Sequence, residues 1–120
     1  MTENKIRSFT DVNAWKEGHN LVLMVYKATE SFPQKETFAL TNQMRRCSVS
    51  ITSNIAEGFR KRTDKDKARF YNISQGSLEE CHYYLILCND LNYAETKNLI
   101  SNLMEVSKML RAYRKKILNS

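Results

Sequence analysis

The stretch "SITSNIAEGFRKR" at residues 50–62 is typical of the end of a helix followed by a cationic segment. Apolar residues recur every three or four positions before it and within it, which places one apolar face along a helix of about residues 37–58. That face runs through Leu40, Met44, Cys47, Ile51, Asn54 or Ile55, and Gly58. Asn54 and Glu57 are unexpected near such a face, and Arg60, Lys61 and Arg62 follow it. The rest of the chain indicates which of these features are architectural and which are functional.

The composition indicates one soluble, helical domain over residues 1–120. Hydrophobic residues make up 42% of the chain and charged residues 27%, and only three glycines and one proline are present, so few tight turns are expected. No apolar run has membrane-spanning length, and the opening "MTENKIRSF" lacks the apolar core of a secretory signal. Three cysteines then indicate reduced thiols and a cytoplasmic protein.

Three further helices follow from start signals, stop signals and periodicity. Thr10 or Asp11 is predicted to cap a first helix of about residues 11–32, which Pro33 ends, and Thr63 to cap a third of about 64–90. The fourth, about 94–118, alternates four- and three-residue steps through Leu99, Leu103, Val106, Leu110, Tyr113 and Ile117. Long helices with short connections predict an all-α, antiparallel up-down-up-down four-helix bundle.

The third helix carries more apolar surface than one bundle can bury. Its segment "CHYYLILC" at residues 81–88 is apolar almost all the way round. A helix in a single bundle needs only one apolar face. The surplus therefore predicts a subunit interface on this helix.

Polar residues near the second and third helices predict a buried layer that fixes helix register. If these helices are antiparallel about a turn near Thr63, Glu80 falls opposite Arg46, beside Arg45, and Glu57 falls near Arg69. We expect Glu80 to be largely buried and to be ion-paired or hydrogen-bonded to Arg45, Arg46 or a neighbouring helix. It would belong to a structural polar layer of Arg45, Arg46, Asn54, Glu57 and Glu80. Gly58 and Gly76 would allow close approach of the two backbones or make room for large neighbours.

The alternative, an acid–base pair of Glu57 and Glu80 assisted by His82, lacks supporting motifs. Glu79-x-x-His82 occurs once, whereas di-metal bundles use that spacing on two helices. No glycine-rich phosphate loop, nucleophile elbow or zinc pattern is present. The cysteines fall on core faces. We therefore predict a protein that is not an enzyme and that has no catalytic residues, metal or cofactor.

Two segments resemble a known family. "FALTNQMRRCSVSITSNIAEGF" at residues 38–59 and "RFYNISQGSLEEC" at 69–81 are similar to the four-helix-bundle proteins encoded in intervening sequences of bacterial large-subunit ribosomal RNA genes. "DVNAWKEGHNLVLMVYKATESFP" at 11–33 looks like that family's first helix, although Thr52 stands where the family often has proline. The resemblance implies assembly into a ring-shaped homopentamer. No catalytic residues are established in that family, so the resemblance assigns none to this chain.

More distantly, the chain resembles the accessory subunit of diversity-generating retroelement reverse transcriptases. That relative is a basic pentameric barrel that binds nucleic acid and the polymerase. The resemblance implies RNA or DNA as a partner, and a reverse transcriptase as a possible protein partner.

Cations concentrate in segments that an up-down-up-down bundle brings to one end. The net charge is +6, and no acid follows Glu105. Near the N-terminus, Lys5 and Arg7 outnumber Glu3. The predicted nucleic-acid-binding residues are Arg60, Lys61, Arg62, Lys65, Lys67, Arg69, Lys108, Arg111, Arg114, Lys115 and Lys116. Because the nearby aromatics mostly fit the core, we expect phosphate contacts rather than base stacking to dominate.

Two functions remain open. In one, the chain is an oligomeric, non-catalytic nucleic-acid-binding or accessory protein. In the other, it is a structural or adaptor oligomer with a protein partner, and its cations only complement a helix dipole and keep the surface soluble. Under the first, residues 54–58 are architecture and Arg60–Arg62 carry function.

Overall fold

A computed structural model describes residues 6–119, and every regular secondary-structure element within that range is helical. Four long helices form the bundle: α1 (Asn13–Thr29), α2 (Asn42–Arg60), α3 (Asp64–Asp90) and α4 (Lys97–Leu118). Each packs against its sequence neighbours, and α1 also packs against α4. The predicted antiparallel four-helix bundle is confirmed. Glu3 and Lys5 lie outside the described residues.

The start of α1 differs from the predicted cap. Ser8 opens a separate 3-10 turn, Phe9–Asp11, and the Asp11 carboxylate accepts the amide hydrogens of Arg7 and Ser8 at 2.9 and 3.2 Å. These backbone hydrogen bonds lower the pKa of Asp11. Helix α1 begins after Val12, with no side-chain cap. Thr10 and Asp11 therefore close the preceding turn instead of capping the helix.

The second predicted helix has an irregular start. A 3-10 turn, Gln34–Glu36, and a π-helical turn, Thr37–Thr41, precede α2. The Glu36 carboxylate accepts the amide hydrogen of Leu40 at 3.4 Å and the hydroxyl hydrogen of Tyr93 at 2.8 Å. This carboxylate therefore links the α1–α2 connection to the α3–α4 connection.

Helix α3 has its predicted ends, whereas α4 begins later than residue 94. Thr63 accepts the amide hydrogen of Asp66 at 3.1 Å, as a capping residue should. Thr96 is buried and donates its hydroxyl hydrogen to the Leu85 carbonyl at 2.8 Å. Because this bond fastens the connection to α3, α4 starts only at Lys97.

The core lies along the bundle axis, and all four helices contribute to it. Its largest fully buried side chains include Leu21, Met44, Ile51, Ile55, Tyr71, Leu78, Leu85, Leu103 and Leu110. None of the described helices is both long and apolar enough to cross a membrane.

Small side chains bring α2 and α3 together. The hydroxyls of Ser50 and Ser77 are 2.8 Å apart, and the Ser74 hydroxyl donates to the Ile51 carbonyl at 2.7 Å. At Gly58, an added Cβ would lie 2.7 Å from Cε1 of Tyr71. At Gly58 the predicted room for a large neighbour is present, because the Tyr71 ring fills it. At Gly76 both predicted roles are wrong, because that residue faces open space.

The apolar surplus of α3 lies on the surface of the single chain. The side chains of Tyr83 and Ile86 are 58% and 43% exposed. They lie outside the bundle core because Cys81, Leu85 and Cys88 occupy the inward face of the same segment. These apolar side chains thus remain uncovered in one chain.

We expect Gly58→Ala to lower the free energy of unfolding by about 1–3 kcal/mol, since the new methyl group meets the buried Tyr71 ring. Gly76→Ala is the matched control. It should raise the free energy by about 0.5–1 kcal/mol, because alanine favours an exposed helix interior. Urea unfolding measures both. Equal effects of the two variants would show that Gly58 does not set the α2–α3 distance.

Candidate nucleic-acid interface

The end of α2, the start of α3 and the end of α4 meet at one end of the bundle. The Lys67 ammonium donates to the Phe59 carbonyl at 2.7 Å, and the Arg114 guanidinium donates to the Ala68 carbonyl at 3.2 Å. The rings of Tyr71 and Tyr113 are 5.5 Å apart. We call this region, with residues 60–69 and 108–116 and the adjoining start of α1, the basic end.

The predicted binding residues divide by exposure. Most are exposed to solvent, and three are half-buried. The exposed ones are Arg60, Arg62, Lys65, Arg69, Lys108, Arg111, Lys115 and Lys116. The half-buried ones are Lys61, Lys67 and Arg114.

The half-buried cations hold the basic end together. Lys67 and Arg114 each donate to a backbone carbonyl of another helix. Lys61 lies 4.8 Å from the ring centre of Phe70 and 3.9 Å from the Glu57 carboxylate. Such contacts fix side-chain positions but contribute little energy when exposed. These three cations therefore have structural contacts, and the exposed ones form the outer surface.

Few carboxylates oppose this charge. Within residues 60–69 there are six cations against Asp64 and Asp66, which lie in the first turn of α3 and suit the positive end of its dipole. Only Asp66 among them approaches a cation, with its oxygen 4.0 Å from Arg69. The net field at this end is positive, which favours an anionic ligand.

For Glu80, the predicted burial and ion pair are wrong, whereas the predicted hydrogen bond to a neighbouring helix is present. Its side chain is exposed, and its carboxylate accepts the Tyr84 hydroxyl hydrogen at 3.1 Å and the Cys47 thiol hydrogen at 3.5 Å. The register was predicted to within one residue, since Cys47 lies next to Arg46. One residue turns a helix by about 100°, however, so the thiol faces α3 and Arg46 faces solvent.

The other members of that layer also have other partners. Arg45 packs against α1, where its guanidinium donates to the Thr29 hydroxyl at 2.8 Å and lies 4.7 Å from the Tyr26 ring centre. The half-buried Asn54 amide donates to the Ser50 carbonyl of its own helix at 2.8 Å. Glu57 is exposed beside Lys61, not Arg69.

Hydroxyls and thiols take the place of that layer, a feature the sequence reasoning missed. Ser50, Ser74 and Ser77 join α2 to α3, and the Cys47 thiol lies 3.1 Å from the Ser77 carbonyl. The available signal was the alignment of small residues on facing stripes of the two helices. Lys16 of α1, which adjoins the basic end, was also missed.

The cysteines are poorly suited to nucleophilic chemistry. All three are buried and unpaired. A hydrogen bond with Cys81, burial and the Glu80 carboxylate raise the pKa of Cys47, and burial raises that of Cys88 to about 11. The thiols of Cys47 and Cys88 therefore stay protonated at neutral pH. Residues 6–119 contain no cluster of three or more His, Cys, Asp or Glu side chains that could hold a metal ion.

Comparison with known proteins gives a family and a fold. The family model described as 23S rRNA-intervening sequence protein matches residues 10–112. A structural relative is a protein of unknown function from the S23 ribosomal protein family of Bacteroides thetaiotaomicron VPI-5482, whose crystal structure was determined at 1.70 Å. It is 20% identical, with a TM-score of 0.76 over 85% of this chain and 98% of that one. No curated protein matches.

We expect Ser74→Ala to lower the free energy of unfolding by about 1 kcal/mol, because the buried hydroxyl joins α3 to the Ile51 carbonyl of α2. Glu80→Ala should change it by less than about 0.5 kcal/mol, since Glu80 is exposed. Thermal or urea unfolding distinguishes the two residues. A larger loss of unfolding free energy for Glu80→Ala than for Ser74→Ala would show that the Glu80 carboxylate is the stronger polar contact between α2 and α3.

Proposed function

The chain belongs to the 23S rRNA-intervening sequence protein family, and we propose that it is a non-enzymatic protein that binds nucleic acid through its basic end. The observation that carries this proposal is the meeting of residues 60–69 and 108–116 at one end of the bundle. Three helix ends thereby present their exposed cations together. Phosphate backbones bind such surfaces with little sequence preference.

Complementing helix dipoles accounts for only some of this charge. Lys115 and Lys116 lie in the last turn of α4, where cations are favourable. Arg62 lies just before α3 and Lys65 in its first turn, where the α3 dipole disfavours cations. Their presence there is better explained by a ligand than by helix stability.

We also propose that the chain forms a homo-oligomer in the cytoplasm, with α3 in the interface. The exposed Tyr83 and Ile86 support this, since solvation of a wide apolar surface is unfavourable. The family resemblance favours a pentameric ring. A ring with parallel subunit axes would repeat the basic end around one face. Several subunits could then contact one nucleic-acid strand, and their weak contacts together would raise the overall affinity.

Reversing charge at the basic end should strongly weaken binding without unfolding the protein. The test variant combines Arg60→Glu, Arg62→Glu and Lys65→Glu, all exposed, and two of these place acids where the α3 dipole favours them. The matched control combines Lys27→Glu, Lys35→Glu and Lys97→Glu, also exposed, toward the opposite end. Fluorescence anisotropy with RNA and DNA at low salt should show a loss of at least about tenfold for the test variant alone.

Equal losses for both variants, or no binding by the wild type, would contradict the proposal. An adaptor function would then be favoured. The observation that supports this alternative is Phe38, whose side chain in the α1–α2 connection is 91% exposed and could anchor a protein partner.

Polar substitutions on the outer face of α3 should dissociate the oligomer. We expect Tyr83→Lys with Ile86→Lys to give a helical monomer, because two charges replace apolar contact area. Asn20→Lys with Gln43→Lys, at exposed polar positions of α1 and α2, adds the same charge and should leave the oligomer intact. Light scattering at micromolar concentration measures the mass. A wild type that is a stable monomer would contradict the interface.

A further inference from the structure

We propose that the groove between the start of α1 and the end of α4 binds one unstacked nucleotide of a single-stranded nucleic acid. This inference rests on the proposed function, and it specifies that the basic end prefers single strands to duplexes. The groove has a volume of about 600 Å³, within the range of small-ligand sites. Its walls include Val12, Ala14, Met109 and Tyr113, with Lys16 and Lys116 also lining it.

The groove has an apolar floor with one aromatic ring. Val12 and Ala14 are buried at its base. The Tyr113 ring is half-buried, and the fully buried Tyr71 packs against it with ring centres 5.5 Å apart. Burial raises the pKa of Tyr113, so its phenol is neutral at physiological pH. A neutral, supported ring is a stacking platform for any base.

The same groove offers positive charge from two helices. Lys16 belongs to α1 and Lys116 to α4, and both are exposed. Asn13 and Ala14, the first two residues of α1, line the groove, so the positive end of the α1 dipole adds to this charge. These two lysines can bind a phosphate. They also extend the positive charge of the basic end, so that one nucleic-acid strand could contact both.

Polar groups at the start of α1 favour a base over a simple apolar ligand. Asp11 and Asn13 line the groove. The Asp11 oxygen Oδ2 already accepts amide hydrogens from Arg7 and Ser8, which holds the carboxylate in place. A carboxylate repels phosphate but accepts hydrogen bonds from the amino and imino groups of bases. The ligand that satisfies apolar, cationic and acceptor groups together is a nucleotide.

A duplex cannot use this groove. Its bases are stacked and paired, and removing one costs unstacking energy that a single strand does not pay. The exposed cations of the basic end still bind duplex phosphates. The groove should therefore add affinity for single strands without changing the phosphate contacts.

The test compares four probes of equal phosphate number by fluorescence anisotropy: oligo(dT), oligo(U), an abasic strand and a duplex. We expect the wild type to bind a base-containing strand about tenfold more tightly than the abasic strand. Comparison of oligo(dT) with oligo(U) shows whether the groove prefers DNA or RNA. Tyr113→Leu, which keeps apolar volume but removes the ring, should abolish the advantage of bases and leave duplex binding unchanged.

A second variant keeps the test valid if Tyr113→Leu destabilises the fold. Ala112→Leu fills the groove from an exposed helical position, and Ser101→Leu adds the same side chain to an exposed position of α4 outside the groove. Only Ala112→Leu should remove the preference for base-containing strands. Equal binding of abasic and base-containing strands would overturn the nucleotide site alone. Failure to bind any probe, duplex included, would overturn the proposed function as well.

Discussion

The close approach of α2 to α3 is the contact on which the rest of the structure depends. Gly58 leaves no room for a side chain against Tyr71, and the Ser74 hydroxyl reaches the Ile51 carbonyl. Together they set both the distance between the helices and the rotation of α3. That rotation buries Tyr71 and directs the apolar residues Tyr83 and Ile86 outward.

The same contact builds the candidate interface. Because Gly58 packs against Tyr71 near the α2–α3 turn, the cations that follow Gly58 lie beside the start of α3. Tyr71 in turn supports Tyr113 of α4, so the end of the fourth helix joins them. The packing of Gly58 against the buried Tyr71 thus determines where the cations at this end of the bundle lie. In this sense Gly58 is architectural, and the exposed Arg60 and Arg62 that follow it lie on the outer surface.

The fold was predictable because its signals are local. Apolar periodicity placed the four helices, and Thr63 caps α3 as predicted. The first helix ends at Thr29, however, three residues before the end predicted from Pro33. The antiparallel arrangement, with the convergence of cations at one end, followed from helix order and short connections. Each of these inferences needs only spacing along the chain, and none needs a side-chain conformation.

The polar layer was less predictable because it depends on rotation about the helix axis. An error of one residue between Arg46 and Cys47 exchanged a solvent-facing cation for a buried thiol. The late start of α4 depends on a hydrogen bond between Thr96 and Leu85, which lie on different elements. The groove at Tyr113 is likewise formed by residues from opposite ends of the chain. Such features arise from tertiary packing, which periodicity alone does not specify.

The measurement that tests the central claim most directly is the salt dependence of nucleic-acid binding by the wild-type protein. If exposed cations of the basic end contact phosphates, the logarithm of the association constant should fall linearly with the logarithm of salt concentration. The slope should be roughly −0.9 per contacted phosphate on a duplex and −0.7 on a single strand. A slope near zero, or no association at low salt, would contradict binding through the basic end.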